Sequence, residues 1–278
     1  MGRECNLISL THGKKTMFQE DLFKQKSVLI TGGGTGIGRA LALEFARHGA
    51  QVGIIGRREE PLQGTCKLVD DAGFEGACTY KTLDIREEED AREVVQSFWD
   101  KWGRIDILIN NAGGNFVAPA HAMSTKGFRS VIEINLIGTF TMSRLVAELQ
   151  LADGQGGRII NMSATNAHNG SPMMVHSGAS KAGINSMTET LAVEWGAAGI
   201  TVNAILPGPV RTEGSDERLW TDEETVNKLE ARIPRGRFAR PDDITGAALF
   251  LASPQASLIT GAMLVIDGGD RLRVPPFV

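Results

Sequence analysis

The run Thr31-Gly32-Gly33-Gly34-Thr35-Gly36-Ile37-Gly38 narrows the choice of folds more than any other stretch of the chain. It joins an apolar segment, Ser27-Val28-Leu29-Ile30, to a helical pattern over Arg39–Arg47. A strand that turns through glycines into a helix presents unpaired backbone N–H groups at the helix start. Those amides and the helix dipole favour an anion such as a pyrophosphate. Glycine lets the turn close and lets phosphate approach the backbone. The spacing here is Gly-xxx-Gly-x-Gly (Gly32, Gly36, Gly38). A plain tight turn is the alternative, and the flanking strand and helix count against it.

Alternation of strand and helix continues along the chain. Strands are expected at Gln51–Gly56, Ala77–Ile85, Ile105–Asn110, Arg158–Met162, Thr201–Leu206 and Ala262–Ile266. Helices are expected from the second strand to about Asp71, then over Glu87–Trp102, Lys126–Leu151, Gly178–Ala197 and 241–252. The strands are too apolar to have a wet face, which implies a parallel sheet covered on both sides. The expected fold is α/β: one Rossmann-like, doubly wound parallel sheet with helices on both faces. Ligands in such sheets sit beyond the carboxyl ends of the strands, where every motif below falls.

Hydrophobic content of 42% with 22% charged residues is that of a globular protein. A net charge of −4 argues against nucleic acid as the main partner. No apolar run approaches the ~18 residues of a membrane span. The three cysteines, Cys5, Cys66 and Cys78, are odd in number and widely spaced, so neither a disulfide framework nor a metal site is expected. A reduced, cytoplasmic setting is the default expectation. Residues 1–16 are polar and aperiodic and are expected to form a disordered extension, with 17–278 a single domain. Pro275-Pro276-Phe277-Val278 is not a peroxisomal signal of the Ser-Lys-Leu type.

Thr31-Gly32 with Gly36-Ile37-Gly38, then Asn110-Asn111-Ala112-Gly113, Asn135, Ser163, Lys181 and Pro207-Gly208 stand in a familiar order and spacing. Over residues ~24–270 the chain resembles the short-chain dehydrogenase/reductase family. The resemblance implies that Gly32, Gly33, Gly34, Thr35, Gly36, Ile37 and Gly38 hold a pyrophosphate. It places Asn111, Ala112 and Gly113 beside the adenosine half of a dinucleotide, and Asp84 with Ile85 at the adenine. Pro207, Gly208, Pro209 and Val210 would flank the nicotinamide. Asn110 and Asn111, taken alone, read equally well as a strand-ending turn.

Cofactor choice follows from charge. An NAD enzyme usually places an acid about 20 residues after the glycine motif. Here the second strand ends in Gly56-Arg57-Arg58. Guanidinium groups suit a 2′-phosphate, which a carboxylate would repel. NADP(H) is the expected cofactor; two arginines merely solvated at a helix start are the alternative.

Most of the family carries Tyr-xxx-Lys, whose phenol gives a proton to the substrate oxygen. Four positions before Lys181 this chain has Ser177, and its one tyrosine is Tyr80 in the third strand. Ketone reduction must protonate an alkoxide, which a serine hydroxyl does poorly beside a phenol of pKa ~10. Reduction of a C=C bond conjugated to a thioester instead sends charge to the thioester oxygen. That oxygen needs hydrogen bonds, and protonation falls on carbon. Loss of the phenol therefore disfavours alcohol chemistry more than enoyl chemistry.

Ala112-Gly113-Gly114-Asn115-Phe116, Val175–Gly183, Leu191–Gly196 and Pro207–Val210 resemble the 2,4-dienoyl-CoA reductase branch, especially its peroxisomal type. That branch reduces 2,4-dienoyl-CoA thioesters to 3-enoyl-CoA with NADPH. Two positions depart from it. The mitochondrial type has a tyrosine fifteen residues before the lysine, here Asn166, and the peroxisomal type has Asp where this chain has Asn135. By resemblance, Lys181 holds the nicotinamide ribose and supplies charge near the oxyanion. Asn135 orients Lys181 through water or donates to the thioester oxygen, or else serves only a helix kink. Ser163 and Ser177 are candidate donors or caps, and Asn115, Phe116 and Ser163 candidate substrate contacts. His176 reads as structural, and the charged segment 213–232 as a substrate lid or a solvated helix. No metal site is expected; the resemblance implies a homotetramer paired through the long helices, whose apolar Ala179–Ala192 face equally suits packing on the sheet. Two other functions stay open: a carbonyl or alcohol oxidoreductase using Ser177 or His176, and a non-catalytic NADP-binding scaffold.

Overall fold

In β1 (Ser27–Thr31), Val28 and Ile30 point to one core and Leu29 to the other, because successive strand residues face opposite sides. The computed structural model describes residues 18–218 and 222–272, and nothing is described of the side chains at 216–218. The expected extension over 1–16, Cys5 and the terminal Pro275–Val278 lie outside the described residues. The remaining strands are β2 (Gln51–Gly56), β3 (Cys78–Thr82), β4 (Ile107–Asn110), β5 (Gly157–Met162), β6 (Ile200–Pro207) and β7 (Met263–Ile266). All pair in parallel, in the order β3-β2-β1-β4-β5-β6-β7. The order reverses between β1 and β4, which opens the crevice where such sheets bind ligands.

The helices are α1 (Gly36–Arg47), α2 (Glu59–Asp71), α3 (Glu88–Trp102), α4 (Thr125–Ile132), α5 (Gly138–Asp153), α6 (Val175–Gly196), α7 (Glu213–Arg218), α8 (Glu223–Glu230) and α9 (Pro241–Ala252). Leu41 and Phe45 of α1, Leu62 of α2 and Leu249 of α9 cover one face of the sheet. Phe98 of α3, Leu145 of α5 and Leu191 of α6 cover the other. The doubly wound sheet is therefore as expected.

Four details differ from the sequence reading. The fourth strand starts at Ile107, because Asp106 is spent on holding the chain: its carboxylate accepts from Ser27 N and Lys26 Nζ, each at 3.0 Å. The helix expected over Lys126–Leu151 is interrupted by a π turn at Glu133–Ile137. The segment 213–232 is not simply solvated, since Val226, Ile233 and Phe238 bury a small core of their own. Cys66 and Cys78, distant in sequence, are brought together with their sulfurs 2.6 Å apart. No helix among the described residues is long and apolar enough to cross a membrane. No His, Cys, Asp or Glu cluster among them could hold a metal ion.

Candidate active site

The glycine turn lies between the ends of β1 and β4 and is closed from the β4 side. Asn111 Nδ2 donates to the carbonyls of Thr31 at 3.0 Å and Gly32 at 3.1 Å. Thr31 Oγ1 in turn accepts from the amides of Asn111 (3.0 Å) and Ala112 (2.9 Å). Gly32 has φ +68°, a conformation that favours glycine. A Cβ on Gly38 would stand 2.2 Å from the Gly32 carbonyl oxygen, so only glycine lets α1 start this close to the turn. Asn111 thus binds backbone across the crevice, and Asn110 joins a buried relay by donating to Ser143 Oγ (2.8 Å) and Asn161 Oδ1 (2.9 Å).

The cleft in front of this turn measures about 880 Å³. Gly32, Gly34, Thr35, Gly36, Ile37, Arg57, Arg58, Ile85, Asn111, Ala112 and Gly113 form its walls, while Gly33 packs on Ile54 behind them. The start of α1 opens into it, the arrangement that suits a pyrophosphate. Arg57 and Arg58 are exposed and in no ion pair among the described residues. These groups fit a dinucleotide with a further anion on its ribose. Asp84, the residue expected at the adenine, stands between two residues of the cleft wall, Leu83 and Ile85. Its carboxylate accepts from Arg86 Nε at 2.9 Å and Nη2 at 2.5 Å, which holds it below the usual carboxylate range and leaves Leu83 and Ile85 as the wall.

Pro207-Gly208-Pro209-Val210 leaves β6 as a braced turn, with Gly208 N donating to Ile266 O (2.9 Å) and Ala239 N to Pro209 O (2.9 Å). It delivers Thr212 onto Gly36, where a Cβ on the glycine would meet Thr212 Cγ2 at 3.2 Å. Glu213 then pairs with Arg39 at 3.0 Å, and Arg39 Nη2 donates to Gly34 O at 3.0 Å. Thr212 and Arg39 both line the cleft, and the sequence reading missed them. Their signal was adjacency, since each lies within two residues of a recognised motif.

Gly113 joins this cleft to a second group of residues. A Cβ there would lie 3.0 Å from Asn135 Oδ1 and 3.9 Å from Lys181 Nζ. Lys181 Nζ donates to Met162 O at 2.6 Å at the end of β5, and desolvation lowers its pKa to about 8. Ser163, next along, donates to the Lys181 carbonyl at 3.2 Å and so spends its proton on α6. Asn135, 1% exposed, clamps Gly114: Oδ1 accepts from Gly114 N (2.8 Å), and Nδ2 donates to Gly114 O (3.2 Å) and Ser180 Oγ (3.1 Å). The expected direct donation from Asn135 to a thioester oxygen does not match this geometry, because both amide protons are committed. Asn135 stands at the middle of the π turn, so that this clamp holds the helix against the Gly114 backbone.

Because α6 begins at Val175 rather than Gly178, His176 and Ser177 sit in its first turn. Ser177 Oγ accepts from Asn166 Nδ2 at 3.0 Å and donates to no acceptor among the described residues. His176 is fully buried, its ring edge-on to Phe116 at 4.3 Å, and neither ring nitrogen has a hydrogen-bond partner among the described residues. Asn115 Nδ2 reaches Met174 Sδ at 3.6 Å. Phe116, Val117, Met173 and Val175 stay exposed at the rim, which the Ala118 N–Met173 O bond (3.0 Å) draws together.

Residues 32–270 match the family model described as enoyl-(acyl carrier protein) reductase. A probable 2,4-dienoyl-CoA reductase of Bacillus subtilis is 41% identical over 91% of this chain and 100% of its own length. A peroxisomal 2,4-dienoyl-CoA reductase of Pongo abelii is 39% identical over 93% of this chain and 88% of its own. Among solved structures, a short-chain dehydrogenase of Bacillus anthracis superposes with a TM-score of 0.82 at 40% identity, covering 91% of this chain and 100% of that one.

The chain belongs to the short-chain dehydrogenase/reductase family. It is an oxidoreductase of that family, and its fold is the family's nicotinamide-dinucleotide fold. Its departure from the family is spatial as well as sequential. Tyr80 lies on the edge strand β3, donating to Glu59 Oε1 and accepting from Gln63 Nε2, each at 3.0 Å. β3 and β5 are four strand spacings apart, roughly 19 Å. The chain's single phenol is therefore outside this short-chain dehydrogenase/reductase site.

Proposed function

We propose that the protein reduces a conjugated acyl thioester, a 2,4-dienoyl-CoA, to the 3-enoyl product with NADPH. The observation that carries this reading is Ser177 in the tyrosine's place. Its oxygen is held by Asn166 and its proton is uncommitted, while no phenol is at hand. Such a donor suits an enolate oxygen that is to be hydrogen-bonded, not an alkoxide that must be protonated at once. The printed names of the Bacillus subtilis and Pongo abelii relatives agree with the substrate class.

The nicotinamide, when bound, supplies the hydride. Arg57 and Arg58 hold the ribose phosphate, the start of α1 and its glycines hold the pyrophosphate, and Pro207–Val210 flanks the nicotinamide. The Lys181 ammonium holds the nicotinamide ribose and, with the Ser177 hydroxyl, faces the thioester oxygen as charge develops there. Asn135 is a positioning residue that fixes Gly114 and, through Ser180, the start of α6. Hydride arriving at C5 of the dienoyl group leaves a dienolate. A proton from solvent water, delivered to C2, then gives the 3-enoyl thioester, and one delivered to C4 would give the 2-enoyl isomer. Phe116 and its exposed neighbours take the acyl chain. The protein works in a reduced cytoplasmic setting as a homotetramer. Exposed Phe140 on α5 and Val193 on α6, 42% and 83% open in the single chain, support pairing through those helices.

NADPH consumption measured side by side with 2,4-hexadienoyl-CoA, crotonyl-CoA and a panel of ketones tests the reading. Turnover confined to the thioesters, with a 3-enoyl product and a 10- to 100-fold loss in Ser177→Ala, is the expected result. Ketone turnover would point to carbonyl chemistry through Ser177 or His176. Cofactor binding without turnover of any substrate would leave the scaffold reading.

A further inference from the structure

The edge strand β3 and the helix α2, whose Pro61 and Leu62 line the cleft, meet along a seam outside the group around Lys181. Glu59, Gln63 and Cys66 recur at helical spacing on one face of α2, and Cys78 and Tyr80 share one face of β3. Tyr80 bonds Glu59 and Gln63 at one end of the seam, and Cys66 Sγ meets Cys78 Sγ at 2.6 Å at the other. A disulfide needs its sulfurs about 2.05 Å apart, so closing this pair takes about half an ångström of movement. Both cysteines are free thiols, Cys66 buried at 9% exposure and Cys78 half-buried.

We propose that Cys66 and Cys78 form a peroxide-oxidisable dithiol, a redox modification site that reversibly staples α2 to the edge strand β3. The inference is independent of the proposed substrate. Either sulfur of the pair can donate to the other; with Cys78 donating, that bond and Lys101 pull the Cys66 thiol below its ordinary range against burial and Asp70. In that arrangement Cys66 is the nucleophile. Its thiolate attacks one oxygen of hydrogen peroxide and the O–O bond breaks. The departing hydroxide takes a proton and leaves as water, so that Cys66 becomes a sulfenic acid. Cys78 Sγ then attacks that sulfur, the S–S bond forms, and hydroxide leaves with the thiol proton as a second water. Two thiols lose two electrons, and the peroxide gains them. A thiol reductant restores the pair by exchange.

The consequence is mechanical. β3 pairs with β2 alone and is more exposed than β1, β2 or β4. A cross-link there removes freedom from the unfolded chain and holds the sheet edge on its helix. The native seam barely moves, so NADPH affinity should change less than twofold.

The test treats the full chain with hydrogen peroxide, then alkylates it under denaturing conditions. Alkylatable thiols should fall from the three in the sequence to one, with a peptide joining Cys66 to Cys78. The thermal midpoint should rise by roughly 5 °C. Dithiothreitol should reverse both changes, and Cys78→Ser should abolish them. Should Cys78→Ser fail to fold, Cys5→Ser leaves the pair intact and must still lose two thiols. Three remaining thiols, a cross-link through Cys5, sulfinic acid at Cys66 without a cross-link, or an unmoved midpoint would each overturn the proposal.

Discussion

Lys181 holds its proton less firmly than an exposed lysine, because α6 and the end of β5 take it out of water and offer one carbonyl in return. The role proposed for it needs the ammonium, which is lost as pH rises through about 8. kcat/KM with a dienoyl thioester should therefore be flat below that pH and fall about tenfold per unit above it. The stability consequence runs the other way. Between about 8 and the ordinary value of 10.5, the unfolded chain binds the Lys181 proton and the native chain does not. The fold should thus gain stability over that range. A pH–rate profile of wild type beside Lys181→Arg checks the assignment. Arginine stays charged, so the alkaline fall should vanish whatever its residual rate. That Lys181 and Ser177 belong together was legible from their spacing. That Ser177 is held by Asn166 was not, since the two are joined only through a turn and a helix start.

The helix around Asn135 shows how one polar side chain shapes an element. Its amide makes three hydrogen bonds, two to the Gly114 backbone and one to Ser180, and the helical ladder yields to a π turn around it. Asn135→Ala should lower stability by about 2–3 kcal/mol, because it leaves buried groups unpaired. It should also slow turnover by loosening Gly113 and Gly114 beside Lys181. Asn135→Asp keeps an acceptor for Gly114 N but turns a buried carboxylate oxygen toward the Gly114 carbonyl and toward a Ser180 hydroxyl already donating to Ser177 O, so it should not recover the lost stability. Denaturant unfolding together with kcat for the two variants checks this. Equal stability of Asn135→Ala and wild type would contradict the clamp. Apolar periodicity predicted one long helix here; only the reading of Asn135 as a kink residue pointed to the break, and its bonding partner Gly114 lies twenty-one positions earlier.

Across the sheet, the cleft gathers charge from several elements. Arg57 and Arg58 follow β2, Arg39 lies on α1, and Glu213 of α7 neutralises Arg39 alone. The exposed pair is therefore the one proposed to set cofactor preference. Replacing both with Glu should cut the NADPH-to-NADH ratio of kcat/KM by roughly 100-fold, with NADH activity little changed. Steady-state kinetics with each cofactor decides it, and an unchanged ratio would show the two arginines to be merely solvated.

The kind and order of the elements were written in the chain, because apolar periodicity and glycine placement act over a few neighbours. The glycine turn, the parallel sheet, the family's motifs and the missing phenol all belong to that local record. Other features required the folded chain. Thr212 over Gly36, Asn111 across the crevice, Asn135 on Gly114 and Cys66 against Cys78 are contacts between separate segments. Sequence spacing carries no distance for such pairs. Packing of strands and helices supplies it, and with it the choice of which protons and sulfurs are free to react.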